Sequence, residues 1–338
     1  MRFIAMQKYV NLSRLMAVVA FSAIGLGSCG NISFPSVAQT QPANKTFGDW
    51  CREKDSLSPE AKHTVDVLLK EAETTECNAA NQKLSSLTEL NISENKITDI
   101  KPLQSLTNLT KILAQKNQIS DIKPLQSLTK LTNLGLYKNR IGDIQPLQSL
   151  INLTQLGLDN NQISDIKPLQ SLTNLTQLGL SENQISDITP LQSLTNLTQI
   201  SLSNNRISDI KPLQSLTKVT NFLLNSNQIS DIKPLQSLTQ LIAIGLGNNK
   251  ISDIKPLQSL TQLEWLELSN NLISDIKPLQ SLTKLEWLEL NDNKISDVKP
   301  LKSLTNLTFF RIGGNPIAPK TCPIKPESIC NWESLPKP

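Results

Sequence analysis

The stretch NQISDIKPLQSLT, residues 117–129, decides how this chain folds, because the sequence carries ten copies of it, identical or nearly so. It returns letter for letter at residues 161–173 and 227–239 and with one or a few changes at seven other places. Its aspartate recurs every 22 residues without insertion or deletion, at Asp99, Asp121, Asp143, Asp165, Asp187, Asp209, Asp231, Asp253, Asp275 and Asp297. A fixed period of this length predicts a solenoid of stacked coils rather than two or three globular domains.

Each coil is expected to contribute one short strand, one turn and a return segment. An L-x-L pair or a similar apolar pair precedes each turn asparagine, as Leu134 and Leu136 precede Asn139, and alternation places both apolar residues inward. The asparagine amide both donates and accepts, so it can satisfy backbone groups that a buried turn leaves unpaired. Pro124 is suited to the start of a short 3₁₀ turn capped by Asp121. The near-constant residues are therefore predicted to form the scaffold.

The copy LTNLTQLGLSENQISDITPLQS, residues 172–193, resembles the leucine-rich repeat of bacterial internalin-like proteins. The resemblance extends from about Leu84 to Ile317. It implies an α/β solenoid, a right-handed superhelix with eleven parallel strands, closed by a helical cap at the N-terminal end and a disulfide-closed cap at the other.

The segment SLSPEAKHTVDVLLKEAETTEC, residues 56–77, predicts the helix of the first cap. Ser58 is suited to the N-cap and Pro59 to the first helical position, and apolar residues from Val65 to Ala72 follow helical spacing. This segment is also similar to the cap of secreted leucine-rich repeat proteins of cyanobacteria.

Residues 1–28 are interpreted as a signal peptide, because basic residues precede a thirteen-residue apolar run that is short for a membrane span. LGSC, which ends at Cys29, resembles a bacterial lipobox, in which this cysteine becomes the lipid-bearing N-terminus. Ordinary cleavage after Ala38 is the alternative. Residues 29–46 then form a tether.

The charge of the chain is largely that of its signal peptide. Its removal leaves 33 − 3 = 30 basic against 29 acidic residues, about one net positive charge. A nearly neutral mature chain predicts no nucleic-acid partner. We expect a monomer that meets the membrane only through its lipid anchor.

The five cysteines lie outside the repeats. Cys51 and Cys77 precede them, Cys322 and Cys330 follow them, and Cys29 is left for the lipobox. Two short-loop disulfides, one at each end, explain this better than a metal site, whose ligands would come from distant ends. The predicted domains after the tether are an N-terminal cap (47–83), a repeat array (84–317) and a C-terminal cap (318–338).

The sequence offers little for catalysis. His63 is the only histidine, and it lies in the cap helix without a marked nucleophile or acid partner. A row of lysines recurs two residues after the repeated aspartates, which favours a solvated charge ladder over an anion-binding ridge. The chain is therefore predicted to be non-enzymatic, with no cofactor and no metal.

The variable residues predict where a ligand binds. Three residues per coil point outward, six, four and two places before the turn asparagine; we call them the first, second and third rows. Early coils carry mostly amides in the first row and glycine or serine in the second. The last three coils differ, and their six residues define the C-terminal patch: Trp265, Trp287 and Phe309 in the first row, Glu267, Glu289 and Arg311 in the second.

Strands about 4.8 Å apart should bring these rings into one exposed ladder beside a carboxylate pair. Exposed aromatic residues with charged neighbours are typical of protein-binding sites, so we expect a protein or peptide ligand on this concave face. The alternatives are rings that seal the last coils against the cap, a carbohydrate ligand, or an envelope protein with no specific ligand. Hydrolysis by Glu267 and Glu289 is disfavoured because an open face lacks a cleft that excludes water.

Overall fold

The computed structural model describes residues 45–333. Its centre is one parallel sheet in which every strand pairs with the next in sequence order. Register partners lie 22 residues apart, as Trp265 pairs with Trp287, so each position of the repeat forms a row across the sheet. The strands are β1 (Glu89–Asn91), β2 (Lys111–Leu113), β3 (Asn133–Gly135), β4 (Gln155–Gly157), β5 (Gln177–Gly179), β6 (Gln199–Ser201), β7 (Asn221–Leu223), β8 (Ala243–Gly245), β9 (Trp265–Glu267), β10 (Trp287–Glu289), β11 (Phe309–Arg311) and β12 (Cys330–Asn331).

The return segments form 3₁₀ turns, as the proline and aspartate of the repeat predict. Pro124 is the second residue of its turn, and Asp121 Oδ1 accepts a hydrogen bond of 2.8 Å from the N–H of Lys123, the first residue. The aspartate thus lies one residue before the usual cap position. The turns of the array are Lys101–Leu103, Lys123–Ser127, Gln145–Ser149, Lys167–Ser171, Thr189–Ser193, Lys211–Ser215, Lys233–Ser237, Lys255–Ser259, Lys277–Ser281 and Lys299–Ser303.

The turn asparagine joins neighbouring coils. Asn139 Nδ2 donates to the carbonyl of Leu136 in its own coil at 2.9 Å and to that of Ala114 in the preceding coil at 3.0 Å. Its Oδ1 accepts from the N–H of Ile119, also in the preceding coil, at 3.0 Å. The predicted role is confirmed, because one side chain satisfies three backbone groups that the leucine and isoleucine core hides from water.

The N-terminal cap contains three helices, α1 (Phe47–Arg52), α2 (Pro59–Glu71) and α3 (Cys77–Ser86). The predicted helix is α2, with Ser58 accepting from the N–H of Ala61 as N-cap. Thr64 of α2 donates to the carbonyl of Asp99 in the first coil at 2.6 Å. The predicted disulfide between Cys51 and Cys77 is confirmed and joins α1 to α3. A short 3₁₀ turn, Lys54–Ser56, connects α1 to α2.

The C-terminal cap adds a strand that the sequence pattern did not predict. The eleven expected strands are present, but β12 extends the sheet to twelve. Ile312 N donates to the carbonyl of Asn331 at 3.0 Å, so the cap satisfies backbone groups at the edge that β11 would otherwise expose. The predicted disulfide between Cys322 and Cys330 is confirmed, and it ties β12 to the cap loop, whose 3₁₀ turn is Glu327–Ile329. Within residues 45–333 no helix has the length and apolar character needed to cross a bilayer.

Candidate binding surface

The middle of the open sheet face is neutral and shallow. In β3 to β5 the second row consists of glycines, and the first row beside it consists of Asn133, Gln155 and Gln177. Asn133 Nδ2 donates to Gln155 Oε1 of the next coil at 2.6 Å. In its first and second rows, this part of the face therefore offers hydrogen bonds but no large apolar anchor.

One half-buried acid interrupts this neutral region, and sequence reasoning missed it. Asp159, in the third row, has Oδ1 2.8 Å from both the N–H of Ser181 and the hydroxyl of Ser201. Burial raises the pKa of Asp159, and these hydrogen bonds partly offset the rise. A Cβ at Gly179 would lie 2.0 Å from Asp159 Oδ2, so this glycine leaves the space that the carboxyl occupies. Asp159 thus ties three coils together.

The aromatic residues of the C-terminal patch come together as the register predicts, but not all are exposed. The rings of Trp287 and Phe309 are stacked with centroids 3.4 Å apart and an interplanar angle of 13°. Trp265 is the register partner of Trp287 and is half-buried. Trp287 itself is only 6% exposed, so the expectation of an exposed ring is wrong there. The physical reason is that the residues on both neighbouring strands are large enough to cover it.

The charged residues of the patch contact the rings and one another. Trp287 Nε1 donates to Glu289 Oε1 at 2.8 Å, and Glu289 Oε2 lies 3.6 Å from a guanidinium nitrogen of Arg311. The Arg311 guanidinium is also 4.9 Å from the centre of the Phe309 ring. Arg311 therefore covers the end of the aromatic stack and partly neutralises Glu289.

Glu267 is the unusual acid of the patch. Burial, followed by the negative charge of Glu289, raises the pKa of Glu267 to about 8, although hydrogen bonds from the Gly247 backbone and the Asn225 side chain act in the opposite direction. A Cβ at Gly247 would lie 1.9 Å from Glu267 Oε1, so the carboxyl lies directly over this glycine of the preceding coil. At neutral pH Glu267 is mainly protonated and can donate a hydrogen bond.

Two further residues next to the patch were missed by sequence reasoning. Ser269 and Asn291, in the third row, are fully buried at 0% exposure. The hydroxyl of Ser269 and both amide atoms of Asn291 have no hydrogen-bond partner in residues 45–333. Their place in the outward rows was the available signal, but their burial depends on neighbouring side chains that the repeat pattern does not orient.

The remaining candidates have ordinary surroundings. His63 Nε2 lies 2.6 Å from the carbonyl oxygen of Asn95, where the cap meets the first coil. In the lysine row, Lys101 is 3.5 Å from Asp99, the one such pair within ion-pair distance in the described part of the chain. No cluster of three or more potential metal ligands occurs between residues 45 and 333. Cys29 lies outside the described residues.

Comparisons with known proteins agree with this architecture. A family model described as leucine-rich repeats in two copies matches residues 85–127, 129–171, 173–215, 217–259 and 283–322. An internalin of Listeria monocytogenes is 35% identical, with a TM-score of 0.68 over 83% of this chain and 87% of its own. The leucine-rich repeat ectodomain of a membrane receptor kinase of Arabidopsis thaliana, solved in complex with Casparian strip integrity factor 2, is 25% identical, with a TM-score of 0.62 over 70% of this chain and 31% of its own. None of the curated proteins compared with the chain matches it.

Proposed function

We propose that this chain, which belongs to the leucine-rich repeat family and is internalin-like, is an exported, non-enzymatic module that binds a protein through its C-terminal patch. One observation carries the proposal. The patch is where stacked aromatic rings and paired charges replace the amides and glycines of the open face. Buried aromatic and arginine anchors surrounded by polar groups are what protein-binding hot spots have in common.

The cap alone does not explain the patch. β12 pairs only with β11, whereas Trp265 and Glu267 lie on β9, two strands further along the sheet. Ile329 and Trp332 of the cap pack against the hydrophobic core. Trp265 is half-buried and lies on a strand that does not pair with the cap strand, so it is the better anchor for a partner.

The stacking favours a protein over a carbohydrate ligand. A sugar ring that binds an aromatic side chain lies against its face. One face of Trp287 is covered by Phe309, and Arg311 lies over the Phe309 ring. The stacked rings of Trp287 and Phe309 therefore have little free face for a sugar, and the neighbouring charged groups suit the mixed apolar and polar groups of a protein surface.

Replacing Trp265 with alanine tests the site. A pull-down from envelope extract supplies the partner, and titration calorimetry then compares its affinity for the wild type and for the variants. Loss of a hot-spot ring should weaken binding by about 2 kcal/mol, roughly 30-fold. Gln177→Ala, in the first row of β5, is the matched control and should bind like the wild type. Unchanged affinity of the Trp265 variant for every recovered partner would refute the assignment and favour an envelope protein without a specific ligand.

The proposal places the protein outside the cytoplasm, attached by lipid at Cys29. Two disulfides support export, since such bonds persist in oxidising compartments. Cys29→Ser should move the protein from the membrane fraction to the soluble fraction, because no acylated cysteine remains to hold it. Immunoblotting of the two fractions measures this. The same fractionation for variant and wild type would instead argue against lipidation and favour cleavage after Ala38.

A further inference from the structure

Two buried polar side chains beside the C-terminal patch lack the partners that buried groups normally have. Ser269 and Asn291 are completely buried, and the hydroxyl of one and both amide atoms of the other form no hydrogen bond within residues 45–333. Such groups are rare because they lose hydration without replacement. Their position beside a candidate binding surface makes them groups that a bound ligand can partner.

Both side chains belong to the same face as the glutamates of the patch. Ser269 follows Glu267 by two residues, and Asn291 follows Glu289 by two, so strand alternation places all four in outward rows. Earlier third-row residues such as Ser203 are half-buried. Complete burial therefore begins where the second row carries long charged side chains.

The covering side chains reach back by one coil. The carboxyl of Glu267 lies over Gly247, the third-row residue of the preceding coil. Glu289 has the same positional relation to Ser269, and Arg311 has it to Asn291. Moving the second-row side chains aside is thus the way in which a ligand reaches the third row.

The second row of the patch carries two carboxyl groups and one cation. Glu267 and Glu289 are register partners, and Arg311 is the register partner of Glu289 on the other side. Its nitrogen is 3.6 Å from Glu289 Oε2, longer than the roughly 2.8 Å of a strong charge-assisted hydrogen bond. Glu289 therefore retains capacity for a second cation.

We propose that the C-terminal patch binds a lysine side chain of the partner, with the ammonium held by Glu289, Asn291 Oδ1 and Ser269 Oγ. This inference rests on the proposed protein-binding function and names the chemistry of its contact. An ammonium group has three donors and no acceptor, which matches three side chains that supply acceptor oxygens. The aliphatic part of the lysine packs along Trp265, and Asn291 Nδ2 donates to a backbone carbonyl of the partner.

The test titrates the purified protein with the tripeptide acetyl-Ala-Lys-Ala-amide and follows tryptophan fluorescence. The same tripeptide with Nε-acetyllysine serves as the comparison, because acetylation removes the charge and keeps the length. We expect the lysine peptide to bind at least about tenfold more tightly, as loss of a charge-assisted contact implies. Equal affinities, or no saturable binding of the lysine peptide, overturn the inference.

Two variants assign the contact to residues. Asn291→Leu should weaken the lysine peptide about tenfold and raise the Tm, because it removes unpartnered polar atoms from a buried position. Glu289→Gln should weaken binding of the lysine peptide by a similar factor. This variant does not change a fully buried side chain, so its effect does not depend on how the leucine packs. Ser203→Ala, in the third row of an earlier coil, should change neither affinity nor Tm. Wild-type binding by both the Asn291 and Glu289 variants also overturns the inference.

Binding measurements with the natural partner distinguish a failure of this inference from a failure of the proposed function. If the partner requires Trp265 but binds equally well after acetylation of its lysines, the lysine contact is wrong and the binding face stands. If the partner is insensitive to Trp265→Ala, the proposed function itself fails.

Discussion

Replacing Asn205 with alanine should lower the free energy of unfolding by about 3–5 kcal/mol, because several buried backbone groups lose their partner together. Asn205 Nδ2 donates to the carbonyls of Leu180 at 2.9 Å, Leu202 at 3.1 Å and Ser203 at 3.3 Å. Its Oδ1 accepts from the N–H of Ile185 at 3.0 Å. Alanine leaves these groups unpaired in a part of the coil that is closed to water.

Asn196→Ala is the matched control in the neighbouring segment. Asn196 is also an asparagine that bonds to the preceding coil, but it lies near the surface and makes a single backbone contact, 3.0 Å from Nδ2 to the carbonyl of Thr173. Water replaces that contact, so a change within about 1 kcal/mol is expected. Urea unfolding followed by circular dichroism compares the two variants. Equal losses would mean that the asparagine ladder does not hold the coils together.

Most of the fold was predictable because the repeat fixes position. A constant interval of 22 residues sets the register of neighbouring strands, and the turn asparagine, aspartate and proline each act on backbone groups within reach. These interactions are local or repeat from coil to coil, so a single sequence contains them. The disulfides were predictable for a related reason, since each joins cysteines at one end of the array.

The parts that escaped prediction lie where the repeat ends. α3 buries only Ala80 and Leu84 and has no side-chain N-cap bond, so it carries a weak helical pattern. β12 has two residues, and it forms because β11 presents unpaired backbone groups. A two-residue strand that forms by pairing with an exposed edge is too short to show a strand pattern in its own sequence.

The candidate site was predictable in composition but not in environment. The register places Trp287 between two large neighbours, Trp265 and Phe309. Its exposure of only 6% depends on the orientations of those side chains, which strand alternation does not specify. The same holds for Glu267. Its carboxyl folds back over Gly247 of another coil, and burial, followed by the charge of Glu289, raises its pKa.

Glu267 should make the protein less stable as pH rises from about 5 to about 8. The pKa of this carboxyl is raised from 4.5 to about 8 in the folded chain. Between these values the folded state holds a proton that the unfolded state has released, so raising the pH favours unfolding. The stabilising contribution is complete below about pH 4.5 and is lost as pH passes through 8. The expected slope is about 1.4 kcal/mol per pH unit where the two states differ fully.

Glu267→Gln should remove this slope, because glutamine resembles the protonated acid and does not titrate. At pH 9 the variant should exceed the wild type by about 4 kcal/mol, and at pH 4 the two should be nearly equal. Urea unfolding at intervals across this range measures the difference. Asp159, whose pKa is also raised by burial, adds its own dependence to both proteins, so the difference between them isolates Glu267. Glu182→Gln, at an exposed glutamate, should keep the wild-type slope. Parallel curves for wild type and the Glu267 variant would show that this carboxyl is ionised in the folded protein at neutral pH.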